Sequence, residues 1–332
     1  MIGSAALAAV TLLAVQGCAP AAAPDAVTDA HHTVTIANAQ TVYDSYLTVS
    51  DSAAAQGNET LGLSNVSDAQ WAMVKGQYTA LANAGIPVPR YRYGQPVFYV
   101  PALSGYPQWF MVAVPRKPYT DGHLGAAVNT MMVFERYSSA AQWGLDGSAV
   151  LGQPLPAIAR DHDGYAINVA TKDASLLLRP DVLGATQAAV ADEGPGSPAA
   201  AVIASGPWTT GMYAAQSALA SAEAAKGLTY SWLLEGAPFA DFELRTTDGG
   251  ALVLYGMYLN TTNEHPNLVA GSAIPVPPEF VPLFAAPNEV GNHAVYANWT
   301  YEFAAVDPPQ TAHGAKADVI GAGAGPTYGH AY

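Results

Sequence analysis

Apolar positions along this chain follow two periods in succession, a helical one and then a strand-like one, and the succession occurs twice. Over residues 36–54, Ile36, Ala39, Tyr43, Tyr46, Leu47 and Ala53 recur at helical spacing. A second helix is marked more sharply. Ser67 and Gln70 have the spacing of a capping box. Trp71, Val74, Tyr78 and Leu81 then share one face, Gly85 stands at the C′ place, and Pro87 blocks continuation. Strand signals follow. Residues 96–100 are short and rich in aromatic and β-branched types, and 109–114 are continuously apolar, as in a strand covered on both faces. Residues 130–137 give the next strand. Residues 143–151 carry Asp146-Gly147, a hairpin-turn signal. Residues 165–169 and 175–178 read as another hairpin.

The Gly/Pro-rich stretch 191–198 breaks the pattern and predicts a linker over 192–205. The order then starts again. Thr210 is placed to cap a helix, Met212, Ala215, Leu219 and Ala222 form its stripe, and Gly227 stops it. Phe242 and Leu244 alternate with Asp241, Glu243 and Arg245, which predicts a solvated outer face carrying the charges. Residues 247–250 turn the chain and 251–259 return. Residues 295–306 have the clearest period of two: Val295, Ala297, Trp299, Tyr301 and Phe303 face one way, Asn298, Thr300 and Glu302 the other. Residues 316–322 add a last strand. The run Gly321-Ala322-Gly323-Ala324-Gly325 precedes Pro326 rather than a helix, so it predicts a flexible end and not a phosphate loop. Helix first, then antiparallel strands, in both halves, predicts the α+β class. Two domains are expected, 33–191 and 206–332, each a helix packed on a curved antiparallel sheet. That order is similar to the cone of nuclear transport factor 2, in which the helix leaves a pocket at the mouth of the sheet.

Residues 5–15 form an apolar run too short to span a bilayer stably. It ends in Ala14-Val15-Gln16-Gly17-Cys18, which resembles the lipobox of bacterial lipoproteins: Val15 is the aliphatic residue three before the cysteine, and Gly17 the small residue just before it. The resemblance implies a signal peptide over 1–17, cleavage between Gly17 and Cys18, and lipid (a diacylglyceryl thioether, with acyl chains such as palmitate) on Cys18. The segment before Ala5 departs from the usual signal pattern, having no Lys or Arg. The Ala/Pro stretch over 18–32 has nothing to bury and predicts a tether, with His31 and His32 solvated at its end. The expected location is the outer face of the cytoplasmic membrane.

Composition narrows the partners. Of 332 residues half are hydrophobic and 11% charged, with a net charge of −14. There is no Lys/Arg cluster of the kind that binds phosphate backbones, so nucleic acid is not an expected partner. An acidic body is also repelled by anionic headgroups, so membrane association is expected through the lipid on Cys18 alone. One cysteine makes no internal disulfide, so packing must hold the fold.

Catalytic signatures do not stand out. There is no G-x-S-x-G elbow and no H-E-x-x-H, and the eight histidines are scattered. Asp161-His162-Asp163-Gly164 resembles the start of a calcium loop but has Tyr165 where the third alternating carboxylate belongs, so a turn explains it. No metal or cofactor is expected. Tyr and Trp are numerous (18 and 6) for so uncharged a chain. Such residues line pockets, though strand-borne ones such as Trp109 and Trp299 are expected in the core.

The segments Gly94-Gln95-Pro96-Val97-Phe98-Tyr99-Val100-Pro101, Tyr106-Pro107-Gln108-Trp109-Phe110, Asp161-His162-Asp163-Gly164-Tyr165-Ala166 and Asp318-Val319-Ile320-Gly321-Ala322-Gly323 resemble uncharacterised surface lipoproteins of high-GC Gram-positive bacteria. The resemblance implies a lipid anchor and an envelope location, and no activity. Two functions follow as expectations: non-enzymatic binding of a small molecule or envelope partner, or an extracytoplasmic hydrolase with an unmarked active site. A pocket with aromatic walls and no titratable pair favours the first. A pocket holding a close His–carboxylate or Ser–His pair favours the second.

Overall fold

The computed structural model describes residues 34–120, 122–266, 273–284, 290–291 and 293–331. The expected signal peptide over 1–17, the expected cleavage and lipidation site at Gly17 and Cys18, and the expected tether over 18–32 lie outside the described residues.

Three helices lead, α1 (Ile36–Gln56), α2 (Glu59–Leu63) and α3 (Asp68–Ala84). Thr35 caps α1 by accepting from the Asn38 amide at 3.1 Å, and Gly85 ends α3 in the left-handed region at φ 65°. Six strands follow: β1 (Arg90–Tyr93), β2 (Val97–Tyr99), β3 (Gln108–Thr120), β4 (His123–Leu124), β5 (Val128–Arg136) and β6 (Gly144–Leu151). Helices α4 (Pro180–Glu193) and α5 (Thr210–Ala224) open the second half. Its strands are β7 (Thr229–Gly236), β8 (Phe242–Arg245), β9 (Ala251–Glu264), β10 (Ile274–Pro275), β11 (Val290–Gly291), β12 (Ala294–Asp307) and β13 (Asp318–Ala331). The helix-then-strands order is therefore present in both halves.

One sheet takes strands from both halves, in the order β1-β3-β5-β6-β13-β12-β9-β7, with β2 and β4 on β3 and β8 on β9. This corrects the expectation of one sheet per half. β6 meets β13 at Leu151–Gly321 and Val150–Ala322. The glycine run read as a flexible end is the strand that makes this joint. A Cβ on Gly323 would lie 2.1 Å from the Ser148 carbonyl oxygen, and one on Gly321 2.6 Å from that of Val150. Only glycine lets the two backbones approach so closely.

The sheet also curls into a near-closed circuit. Residues 158–169, expected to include a hairpin strand, instead run between the two edges as single bridges. Ala166 N–H donates to the Val100 carbonyl at 2.9 Å, and Arg245 N–H to that of Ile167 at 2.8 Å. Trp109 of β3 and Phe242 of β8 are far apart in strand order, yet their rings are 5.4 Å apart. The enclosed face holds Trp109, Met111, Met131, Val133, Leu252, Leu254 and Ala304 from both halves. Outside, Tyr43 of α1 packs on Phe98 and Phe134, while Leu183 and Val190 of α4 and Met212 of α5 pack on Val253, Tyr255 and Phe303. Each large apolar side chain buried this way contributes about 1.5–3 kcal/mol. Partly exposed ion pairs such as Arg90–Asp51 contribute little because water screens them, so packing holds the fold.

Four further expectations are corrected. Residues 143–151 form the single strand β6; Asp146-Gly147 is not a turn but the site of a β-bulge, between the pairs Val133–Gly147 and Phe134–Leu145. Residues 175–178 form no strand; Leu176 makes one bridge to Pro309. The predicted linker 192–205 is packed, with Ile203 1% exposed and bridged to Ala317. The charges on 241–245 do not share a solvated face. Glu243 is buried on the Val253 side of the sheet, because Phe242 and Leu244 fill the enclosed side.

Candidate functional site

Helix α3 lies along β13. Gly76 makes that possible, since a Cβ there would meet the Pro326 carbonyl at 2.4 Å. The predicted stripe is rotated as a result. Tyr78 is buried as expected and Val74 and Leu81 are half-buried, but Trp71 points outward, with Lys75 over its ring, while Gln70 and Met73 are buried instead. Ser67 and Gln70 are not a capping box either. The Ser67 hydroxyl donates to Asp146 Oδ1 at 2.9 Å and Gln70 Nε2 to Glu302 Oε2 at 2.5 Å.

Between α1, α3 and strands β1, β3, β6 and β13 lies a cleft of about 410 Å³. Tyr46, Tyr78, Tyr91 and Tyr93 wall it, and Arg116 reaches in from β3. One rim is held by Asp51 of α1, which accepts from Arg90 of β1 at 2.8 and 2.6 Å. That hydrogen bonding holds the Asp51 carboxyl below its ordinary range, against a small desolvation. The Arg116 guanidinium stacks 4.6 Å from the Tyr91 ring centre. Its Nε is buried and without a hydrogen-bond partner. Burial pushes the Tyr46 and Tyr93 hydroxyls up, with Arg116 opposing, so both stay neutral phenols. The cleft thus offers aromatic faces, neutral hydroxyls and one cation.

Gln70 and Ser148 form part of its floor. Beneath them Glu302 is 4% exposed. It accepts from the Ser148 amide at 2.7 Å, while its Oε1 has no partner. Burial pushes its carboxyl well above the usual range, against the opposing hydrogen bonds from Ser148 and Gln70.

The structure brings few of the sequence candidates together. In the 161–164 turn, Asp161 Oδ1 accepts from the amides of Asp163 and Tyr165 at 2.9 Å each, which is the turn predicted. His162 lies 3.1 Å from Asp163, but their side chains are 88% and 63% exposed on the surface. None of the six described histidines lines the cleft, and no Asp or Glu does. Trp109 is buried as expected and Trp299 partly so. Sequence reasoning missed Arg116 and Glu302. The Arg116-Lys117 pair in an otherwise apolar strand was the available signal for the first. Alternation hid the second, by placing Glu302 on a face that proves to be enclosed.

Comparison with known proteins places the chain without assigning it a role. No solved structure matches it. A protein of Streptomyces avermitilis named "uncharacterized lipoprotein" is 29% identical over 187 residues, 52% of each chain, so the match spans about half the length of that relative. Residues 30–329 match the family model described as a domain of unknown function, DUF8094. The chain belongs to that family of uncharacterised proteins, in which a lipoprotein of a high-GC Gram-positive bacterium is a relative.

Proposed function

We propose that this is a lipid-anchored cell-envelope protein, on the outer face of the cytoplasmic membrane, whose folded part binds a small organic anion. The observation that carries the binding reading is the cleft: four tyrosine walls around the Arg116 guanidinium, which stacks on the Tyr91 ring. Its size falls in the range of small-molecule sites, about 300–1,000 Å³. An acceptor group of the ligand would satisfy the guanidinium, and its ring or apolar part would lie against the tyrosines. A hydrolase needs a base within reach of the reacting bond, and no Asp, Glu or His lines the cleft. The anchor reading is supported by the lone Cys18 after an apolar run and Gly17, and by the name of the Streptomyces relative.

Two experiments test these readings. Native mass spectrometry of the protein purified from its own host is expected to show a bound small molecule that Arg116→Gln and Tyr91→Ala each release. A molecule retained by both variants places the site elsewhere. Separately, Cys18→Ser is expected to move the protein from the membrane to the soluble fraction. Unchanged membrane association of that variant would end the anchor reading.

A further inference from the structure

We propose that Asp68, Glu135 and Asp146 bind a divalent cation, calcium by preference, where the start of α3 meets β5 and β6. Each of the three offers a carboxylate oxygen, and these oxygens all lie within 4.8 Å of one another. An ion about 2.3–2.6 Å from every oxygen fits such a spread. Magnesium suits it less, because it demands near-octahedral ligands at about 2.0–2.1 Å.

The fold builds this convergence. Glu135 sits near the end of β5, opposite Gly144. Asp146 is the extra residue of the β6 bulge, and a bulge re-aims a side chain out of the ordinary alternation. Asp68 is carried to the pair by a backbone splice: Ser67 N–H donates to the Leu145 carbonyl and Leu145 N–H to that of Asn65, both at 2.9 Å. Asp68 is also the one non-glycine residue with positive φ among those described, at 40°.

What distinguishes the cluster from an ordinary acidic patch is Glu135. It is 2% exposed, and neither of its oxygens has a hydrogen-bond partner. The nearby Tyr137 hydroxyl has a single proton and donates it to Asp68. Among the described residues no Lys, Arg or His forms an ion pair with any of the three carboxylates. A buried carboxylate with neither donor nor counter-charge is costly, and a cation supplies both needs. A cavity of about 20 Å³ on the Asp146 side, also lined by Glu302, has room for one water. Asp68 and Tyr137 are partly exposed and give the ion a way in.

Protons compete for the same oxygens. Burial raises Glu135 to about 7, with the Tyr137 hydroxyl opposing and the charge of Asp68 adding; burial, then Glu135 and Asp68, raises Asp146 to about 8, with Ser67 opposing. Tyr137, Glu302 and Tyr258 complete the titratable groups facing the cluster. Binding must displace protons, so it strengthens with pH.

The test is calcium titration of the purified protein by calorimetry and thermal unfolding, at about pH 8 and about pH 5.5. One calcium per chain and a Tm rise of roughly 3 °C or more in about 1 mM calcium are expected at the higher pH, with little change at the lower. Glu135→Gln and Asp146→Asn keep side-chain shape and remove repulsion, so both should fold without calcium yet lose the shift. As a second measurement, terbium used in place of calcium should luminesce through excitation of Tyr137 in the parent and not in Tyr137→Phe. No calcium heat or shift at pH 8, or a shift kept by both carboxylate variants, would overturn the site. An equal response to magnesium would overturn the preference.

Discussion

Asp307 and Asp146 are both buried aspartates on strands of one sheet, and their surroundings are opposite. Asp307, in the second half, accepts from the Leu178 amide with both oxygens, at 3.3 and 3.1 Å. Asp192 does the same for Leu234, at 3.0 and 3.3 Å. Asp307 fastens the segment before α4 to β12, and Asp192 fastens the end of α4 to β7; each carboxylate gains a backbone donor in return. In the first half Asp146 has one hydroxyl, from Ser67, and Glu135 has nothing. Burying an acid without donors does not stabilise a fold. The difference teaches that burial alone does not identify a functional acid. Asp307 and Asp192 are explained by the structure they hold; Glu135 and Asp146 are not.

The two regions sit on either side of the β6–β13 joint, so the most damaging change is to that joint itself. Gly323→Ala puts a methyl group into the Ser148 carbonyl and is expected to cost about 3 kcal/mol in urea unfolding. A loss below about 1 kcal/mol would mean that the two strands are not so tightly apposed. The comparison is tested more directly by a matched pair. Asp307→Ala removes the acceptor of the half-buried Leu178 amide and is expected to cost about 2 kcal/mol. In calcium-free buffer at pH 8, Asp146→Asn is expected to change stability by less than about 1 kcal/mol or to raise it. Equal losses would erase the distinction. The smallest effect is in pH dependence. Glu135 and Asp307, near 7, and Asp146, near 8, hold protons in the folded state that the unfolded chain releases near pH 4. Their contribution is therefore complete below about pH 4 and is lost as pH rises through about 8. Asp146→Asn should flatten that fall by about 1 kcal/mol per pH unit between pH 5 and 7.

What could be read from the sequence depended on how locally each feature is determined. The continuous apolar run 109–114 became the middle of β3 because both of its faces are covered, one by the enclosed core and one by the α1 side. The alternation in 295–306 and the stop at Gly85 are equally local, and both are present. Asp146-Gly147 misled because a turn and a bulge use the same residues; only the partner strand decides between them. Ser67 and Gln70 misled for a related reason. Their spacing fits a cap, but buried carboxylates distant in sequence take their side chains instead. Helix α4 had a readable stripe in Leu183, Gln187, Val190 and Ala191 behind Pro180, which the Gly/Pro break that follows it obscured. The carboxylate cluster was not legible at all, since Asp68, Glu135 and Asp146 lie on three separate elements.

β13 has a consequence for how the molecule comes to be folded. It is the last strand in chain order, yet it lies in the interior of the sheet, between β6 and β12. A chain delivered N-terminus first, from a ribosome or through a membrane pore, must wait for β13 before the circuit can close. Until then β6 and β12 each present an unpaired edge, the kind that recruits neighbouring chains. Pairings between such distant residues are slow to form. Closure is thus a late and nearly all-or-none event, and a copy cut short before Asp318 would keep both edges open.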